Sequence, residues 1–91
     1  MAKQRKVVLF SGTVQGVGFR YIACRAAAGH DVTGAVRNLH DGRVEVVVEG
    51  EAEQIGAFLA DLRGRMADYI QDQTQQTQPY TGQYSHFGVS F

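Results

Sequence analysis

The pattern of apolar and polar positions predicts three strands in the first half of the chain. Residues 6–12 read Lys-Val-Val-Leu-Phe-Ser-Gly, a β-branched and aromatic run that is typical of a strand. Residues 33–39 form a second such run, and residues 43–49 place Val44, Val46 and Val48 on one face and Glu45, Val47 and Glu49 on the other. Asp41-Gly42 separates these two runs and favours a tight hairpin. The alternation predicts an antiparallel sheet with one covered face.

Two segments carry apolar residues at three- and four-residue spacing, so we expect helices there. The first segment, residues 20–28, is rich in alanine and has a thin apolar stripe. The second covers about residues 51–63 and has a wider stripe that continues to Met66. Acidic residues in its first turn and arginines at its end complement the helix dipole.

The last third of the chain has a weaker pattern. Residues 71–78 form a Gln- and Thr-rich tract, which is compatible with an exposed edge strand or with a loop. Phe87, Val89 and Phe91 alternate as a final short strand. The order β-α-β-β-α-β with a short extra C-terminal strand predicts an α+β, ferredoxin-like sandwich, in which two helices cover one face of an antiparallel sheet. We expect residues 1–91 to form one domain.

Composition narrows the class of protein. The chain has 91 residues and is 44% hydrophobic, which suits one small core and not a disordered tail. Its apolar runs are far shorter than the ~20 residues of a membrane span, and the basic N-terminus lacks the apolar stretch of a signal peptide. A single cysteine, Cys24, excludes an intramolecular disulfide and a cysteine-based metal cluster. We therefore expect a cytoplasmic protein that does not associate with membranes.

Charge is balanced overall but unevenly distributed. The chain has nine Lys and Arg residues and nine Asp and Glu residues, so its net charge gives no general reason to expect a nucleic-acid partner. Residues 1–43 nevertheless hold seven bases and two acids, whereas residues 44–91 hold two bases and seven acids. This asymmetry is compatible with an ordinary dipolar surface or with a local anion site in the first half.

A glycine-rich turn leads into the first helix at residues 13–19. Backbone N–H groups that converge at a helix N-terminus bind phosphate well, and Arg20 lies where its guanidinium would reach the same anion. The alternative is an ordinary tight turn beside an exposed arginine. Neither common nucleotide motif fits, since the Walker Gly-Lys-Ser/Thr is absent and Tyr21 stands where a dinucleotide fingerprint has its third glycine.

Asn38, at the end of the second predicted strand, is the other candidate for chemistry. Its amide is expected either to satisfy backbone groups of the turn that follows or to orient a water or an oxyanion. The three histidines have no metal-ligand spacing. We interpret the glutamates near the second helix as a solvated acidic face: Glu45, Glu49, Glu51 and Glu53.

Two segments resemble one protein family. Residues 12–20, Gly-Thr-Val-Gln-Gly-Val-Gly-Phe-Arg, resemble the signature of the acylphosphatases. Residues 34–44, Gly-Ala-Val-Arg-Asn-Leu-His-Asp-Gly-Arg-Val, resemble the second signature of that family, and Gly50 closes the block. The resemblance covers residues 6–66 and weakens beyond them, where the glutamine tract replaces the valine-rich fourth strand usual in the family.

The resemblance implies metal-independent hydrolysis of the carboxyl–phosphate bond of acyl phosphates, with no cofactor. Asn38 would hold the attacking water, and the Arg20 side chain would neutralise the phosphoryl charge. The backbone N–H groups implied to cradle the phosphoryl oxygens are those of Gln15, Gly16, Val17, Gly18, Phe19 and Arg20.

Two other functions stay open from the sequence. One is a domain that binds an acyl or carbamoyl phosphate without hydrolysing it, and the other is a ferredoxin-like module that binds RNA or protein. RNA-binding sheets of this order stack aromatic residues on their first and third strands, where the third strand here has valine and glutamate. We expect a monomer whose partner is a small-molecule acyl phosphate, with no nucleic acid and no membrane.

Overall fold

Five strands and two helices alternate along the chain in the computed structural model, which describes residues 2–91. The order of elements agrees with the sequence prediction, and the bounds move by a few residues. The elements are β1 (Lys3–Gly12), α1 (Phe19–Ala27), β2 (Thr33–Asn38), β3 (Val44–Glu51), α2 (Ala52–Arg65), β4 (Ile70–Pro79) and β5 (Phe87–Val89).

The strands form one sheet in the order β4-β1-β3-β2-β5. Strands β1 to β4 pair antiparallel, as predicted. β5, the predicted short extra strand, pairs with β2 in parallel, and Gly34 lies opposite Phe87. Residues 80–86 connect the two edge strands, so the chain crosses the sheet before β5 begins. This crossing brings β5 beside α1 and β2.

The Gln- and Thr-rich tract is a strand and not a loop. β4 runs antiparallel to β1 from Gln4 to Gly12, with an irregular register at Ser11 and Gly12. It forms the edge of the sheet opposite β5, and most of its side chains are exposed. Pairing with the interior strand β1 is sufficient to hold this polar segment extended, although the segment contributes little to the core.

The helices contact each other and pack on one face of the sheet. The valines that the alternation of β3 assigns to the covered face, Val44, Val46 and Val48, are fully buried. Val8, Phe10 and Val36 from the neighbouring strands join them, together with the apolar stripe of α2. The predicted covered face is therefore confirmed, with the core between this face and the two helices.

Glu49 contradicts the predicted solvated acidic face, because its side chain is fully buried. It lies on the opposite face of β3, where residues 80–84 cross the sheet and cover it. Its carboxylate accepts hydrogen bonds from the backbone N–H of Thr81 (2.9 Å), the Thr81 hydroxyl (2.7 Å) and the backbone N–H of Gly82 (3.1 Å). Burial acts to raise the pKa of Glu49, but these hydrogen bonds and Arg5 lower the pKa by more. The buried carboxylate thus holds the crossing segment on the sheet.

Candidate functional site

Residues 13–18 form the glycine-rich turn that joins β1 to α1. Gly16 and Gly18 have φ angles of 77° and 80°, a left-handed conformation that glycine adopts without strain. Gly18 is the N-cap of α1, and no side chain in the described chain caps this helix or places a carboxylate in its first turn. The first backbone N–H groups of α1 are therefore free of side-chain acceptors at the electropositive end of the helix dipole.

Arg20, the second residue of α1, has no anionic partner among residues 2–91. Its guanidinium lies over the ring of Phe91, 5.5 Å from the ring centroid. Four other arginines pair with a carboxylate: Arg5 with Glu49, Arg37 with Glu45, Arg43 with Asp41 and Arg65 with Asp61. The Arg20 guanidinium and the free N–H groups at the start of α1 together offer an anion positive charge and hydrogen-bond donors.

Asn38 is the last residue of β2 and lines the same cleft as Arg20. Its side chain makes no hydrogen bond to any residue that the structure describes. The hairpin turn that follows is closed without it, because Leu39 N–H donates to the Arg43 carbonyl (2.8 Å) and Arg43 N–H donates to the Asp41 carboxylate (3.1 Å). The amide of Asn38 therefore does not satisfy the turn, which was one of its two predicted roles, and is available to a ligand or a water.

Gln15 acts through its side chain, which the sequence did not suggest. Its Nε2 group donates to the carbonyl oxygens of Leu39 (2.7 Å) and Arg43 (2.9 Å). The glycine-rich turn is thereby tied to the hairpin that begins just after Asn38. Nothing in the sequence shows this link, because an amide in a loop carries no local signal of its distant acceptors.

One cleft of about 450 Å³ brings most of the predicted site together. Gly16, Gly18, Phe19, Arg20 and Asn38 line it. Gln15 and Val17 do not, since Gln15 faces the hairpin and Val17 packs against the core. The ring of Phe19 is buried against Phe10 (centroids 5.2 Å apart), so that residue offers its backbone and not its ring to a ligand.

The cleft is also lined by residues that were not predicted to belong to the site: Val14, Tyr21, Cys24, Val89 and Phe91. β5 brings the last two there, and its long-range parallel pairing with β2 is not encoded in any local pattern. Burial raises the pKa of the Cys24 thiol, which keeps it protonated and weakly nucleophilic.

Within residues 2–91, no cluster of three or more His, Cys, Asp or Glu side chains lies close enough to hold a metal ion. In the same residues, neither helix is long and apolar enough to cross a membrane.

Comparison with known proteins identifies the family. The family model for Acylphosphatase matches residues 6–89. The chain belongs to the acylphosphatase family. The match continues well beyond residue 66, so the resemblance drawn from two short segments extends through the polar β4 and into β5.

Relatives and solved structures agree with this assignment. The acylphosphatase of Syntrophotalea carbinolica is 41% identical over 88 residues, which cover 96% of both chains. The crystal structure of acylphosphatase from Bacillus subtilis has a TM-score of 0.83 and 25% identity, covering 99% of this chain and 100% of that one. HypF from T.kodakarensis has a TM-score of 0.78 and 33% identity, but the match covers 12% of that chain. The chain is thus an enzyme of the acylphosphatase family with a ferredoxin-like fold.

Proposed function

We propose that this enzyme hydrolyses the carboxyl–phosphate bond of small acyl phosphates in the cleft between the glycine-rich turn, α1 and the end of β2. The observation that carries this proposal is the unpaired guanidinium of Arg20, which shares one cleft with the unpaired amide of Asn38. Family membership supplies the reaction class, and the donors in the cleft fit its phosphoryl group.

The phosphoryl group is bound at the glycine-rich turn and the start of α1. Backbone N–H groups between Gln15 and Arg20 converge on its oxygens, with left-handed Gly16 and Gly18 allowing close approach of the backbone. The Arg20 guanidinium forks onto two phosphoryl oxygens and offsets their charge. These donors are in place before substrate arrives, so charge that develops on the phosphoryl group meets an environment that needs little reorganisation.

Asn38 orients the attacking water. The water oxygen forms a bond to phosphorus while the bond between phosphorus and the acyl oxygen breaks, and the carboxylate departs with that electron pair. A carboxylate is a stable leaving group and needs no general acid, and a phosphoryl oxygen of the substrate takes the proton of the water. Positioning and charge stabilisation then supply the catalysis, without a metal ion or cofactor.

We further propose a single-domain monomer that acts in the cytoplasm and has no nucleic-acid partner. One continuous core supports the single domain. The sheet face away from the helices carries Glu45 and Val47 on β3 in place of the stacking aromatics of RNA-binding sheets. Gel filtration with light scattering tests the monomer, and a gel-shift assay with a mixed RNA pool tests the absence of nucleic-acid binding.

The deciding experiment is phosphate release from benzoyl phosphate by the purified chain, with and without EDTA. We expect catalysed release that inorganic phosphate inhibits competitively and that chelation leaves unchanged. Substrate-induced thermal stabilisation without phosphate release would favour the non-hydrolytic binding domain instead. Loss of activity in EDTA that a divalent ion restores would contradict the metal-free mechanism.

A further inference from the structure

We propose that the apolar residues of the cleft lining, Tyr21, Cys24, Val89 and Phe91, form an acyl wall that selects the acyl group, so that the enzyme prefers neutral, apolar acyl groups about as large as benzoyl over small or anionic ones. This inference rests on the proposed function, since it assigns the second half of the same substrate.

The residues that line the cleft are of two chemical kinds. The polar groups, already assigned to the phosphoryl group and the water, are the backbone of Gly16 and Gly18, Arg20 and Asn38. The residues of the acyl wall offer mainly carbon and sulfur. An acyl phosphate has the same division, with a charged phosphoryl group joined directly to a carbon-rich or short acyl group. The Phe91 ring lies against the Arg20 guanidinium, so an acyl group joined to a phosphoryl group at Arg20 would lie close to the acyl wall.

The exposed apolar residues of the protein are concentrated at this wall. Five large hydrophobic side chains are exposed within the described residues, and three of them line the cleft: Tyr21, Val89 and Phe91. Exposed apolar groups that gather at one place, next to polar ligand-binding groups, are typical of a binding surface. The other two, Tyr69 and Tyr80, lie outside the cleft and provide a natural comparison.

A second negative charge on the acyl group would find no available cation in this cleft. Arg20 is the one arginine or lysine of the described chain that lines it, and the phosphoryl group occupies that guanidinium. Arg37 and His40 line an adjoining depression of about 350 Å³, which shares Arg20, Asn38 and Phe91 with the cleft. The Arg37 guanidinium is already 2.8 Å from the Glu45 carboxylate, so an anionic acyl group there would compete with an existing ion pair.

The expected preference is modest, because an apolar pocket discriminates by the apolar area that it buries. A phenyl ring in place of a methyl group should improve kcat/KM by about 10- to 100-fold, mainly through a lower KM. Intrinsic reactivity differs among acyl phosphates, so each rate is to be divided by the uncatalysed hydrolysis rate of the same compound.

The test compares benzoyl, acetyl and succinyl phosphate with the wild-type chain and with three variants. Phe91→Ala and Val89→Thr change the proposed wall, and Tyr69→Ala is the control at an exposed aromatic residue outside it. We expect wild-type KM to be lowest for benzoyl phosphate and highest for succinyl phosphate. The two wall variants should lower the benzoyl-to-acetyl ratio of kcat/KM by about threefold or more, and Tyr69→Ala should leave the ratio unchanged.

Inhibition by inorganic phosphate separates phosphate binding from acyl-group selection. The inhibition constant should stay within about twofold of wild type in Val89→Thr, because phosphate has no acyl group for residue 89 to contact. Phe91→Ala removes the ring beside the Arg20 guanidinium, so only its benzoyl-to-acetyl ratio is used. Equal wild-type KM values for the three substrates, or an unchanged benzoyl-to-acetyl ratio in both wall variants, would overturn this inference and leave the proposed function intact. Failure to hydrolyse any of the three substrates would overturn both.

Discussion

Arg20 and Arg5 lie in similar aromatic surroundings but have opposite partners. The Arg20 guanidinium lies 5.5 Å from the centroid of Phe91, and that of Arg5 lies 5.7 Å from the centroid of Tyr84. Arg5 also pairs with the buried carboxylate of Glu49 at 3.4 Å, whereas Arg20 has no carboxylate partner among the described residues. Both residues are thus arginines beside an aromatic ring, and they differ in whether the fold supplies a carboxylate partner.

The difference separates a structural region from a binding region. Arg5 also donates to the side chains of Gln78 and Gln83, each at 3.2 Å, so its donors are used within the fold. Arg5 and Glu49 together fasten the crossing segment to the sheet. Around Arg20 the donors of the turn, the helix and Asn38 are left open in one cleft. An arginine whose charge is satisfied internally stabilises the fold, and one left unsatisfied beside open donors is available to a ligand.

The largest expected effect is on activity when Arg20 is changed. Arg20→Ala should lower kcat/KM by about 10³-fold, because a charge-assisted bidentate contact to the phosphoryl group is lost. Arg20→Lys should also lose most activity, since a point charge does not reproduce the planar fork. Steady-state hydrolysis measures both effects, and the melting temperature should stay near that of wild type. Near-normal turnover in the lysine variant would contradict the bidentate contact.

Glu49→Ala is the matched change in the structural region, and it should lower the stability of the fold without changing kcat. Glu49→Ala leaves the Arg5 charge and three donors without their acceptor, and should lower the free energy of unfolding by about 3 kcal/mol. Urea denaturation measures this loss, and kcat measured well below the melting temperature should change little. An equal loss in kcat/KM for Glu49→Ala and Arg20→Ala, with both proteins folded, would remove the distinction between the two regions.

Asn38→Ala should separate rate from affinity within the binding region. If Asn38 positions the water, kcat should fall by about 10²-fold while KM and the inhibition constant of phosphate stay near wild type. Its side chain has no hydrogen-bond partner in the described chain, so unfolding by urea should be unchanged. A stable variant with normal kcat would remove Asn38 from the mechanism.

The smallest of these effects is expected at Gln15, which links the phosphate-binding turn to the hairpin after Asn38. Gln15→Glu keeps the size of the side chain but places a carboxylate against the carbonyl oxygens of Leu39 and Arg43, so kcat should fall by about tenfold. Gln15→Glu and Asn38→Ala should be non-additive, because the link acts by placing Asn38. Additive losses in the double variant would show that Gln15 acts independently of the water site.

Much of this architecture follows from local sequence patterns. The valines of β3 mark the covered face, the stripe ending at Met66 marks α2, and the glycine-rich turn marks the phosphate-binding region. Family membership, confirmed by comparison, was recognisable from residues 12–20 and 34–44. The roles given to Arg20 and Asn38 remain predictions until those variants are measured.

The remaining features depend on contacts between residues far apart in the chain. In the sequence, Glu49 resembles a surface glutamate. It is buried because Thr81 and Gly82 cross over it, and no local sequence pattern predicts that crossing. The Gln15 side chain likewise finds its acceptors on a separate hairpin. The parallel pairing of β5 depends on the same crossing, so the place of Val89 in the cleft could not be predicted from sequence.

Protonation of the buried Glu49 carboxylate should also affect the structure of the cleft. Because the pKa of Glu49 is below its ordinary value of 4.5 in the folded protein, its stabilising contribution is complete above that value and is lost as the pH falls through the lowered pKa. Protonation weakens the anchor of residues 80–84, and those residues lead directly into β5, which carries Val89 into the cleft. Acid below pH 4.5 that protonates Glu49 should therefore open this segment before the rest of the sheet unfolds. Amide hydrogen exchange as the pH is lowered, corrected for the intrinsic exchange rate, should show protection lost first at residues 80–89, and earlier protection loss in β1 or β3 would contradict this coupling.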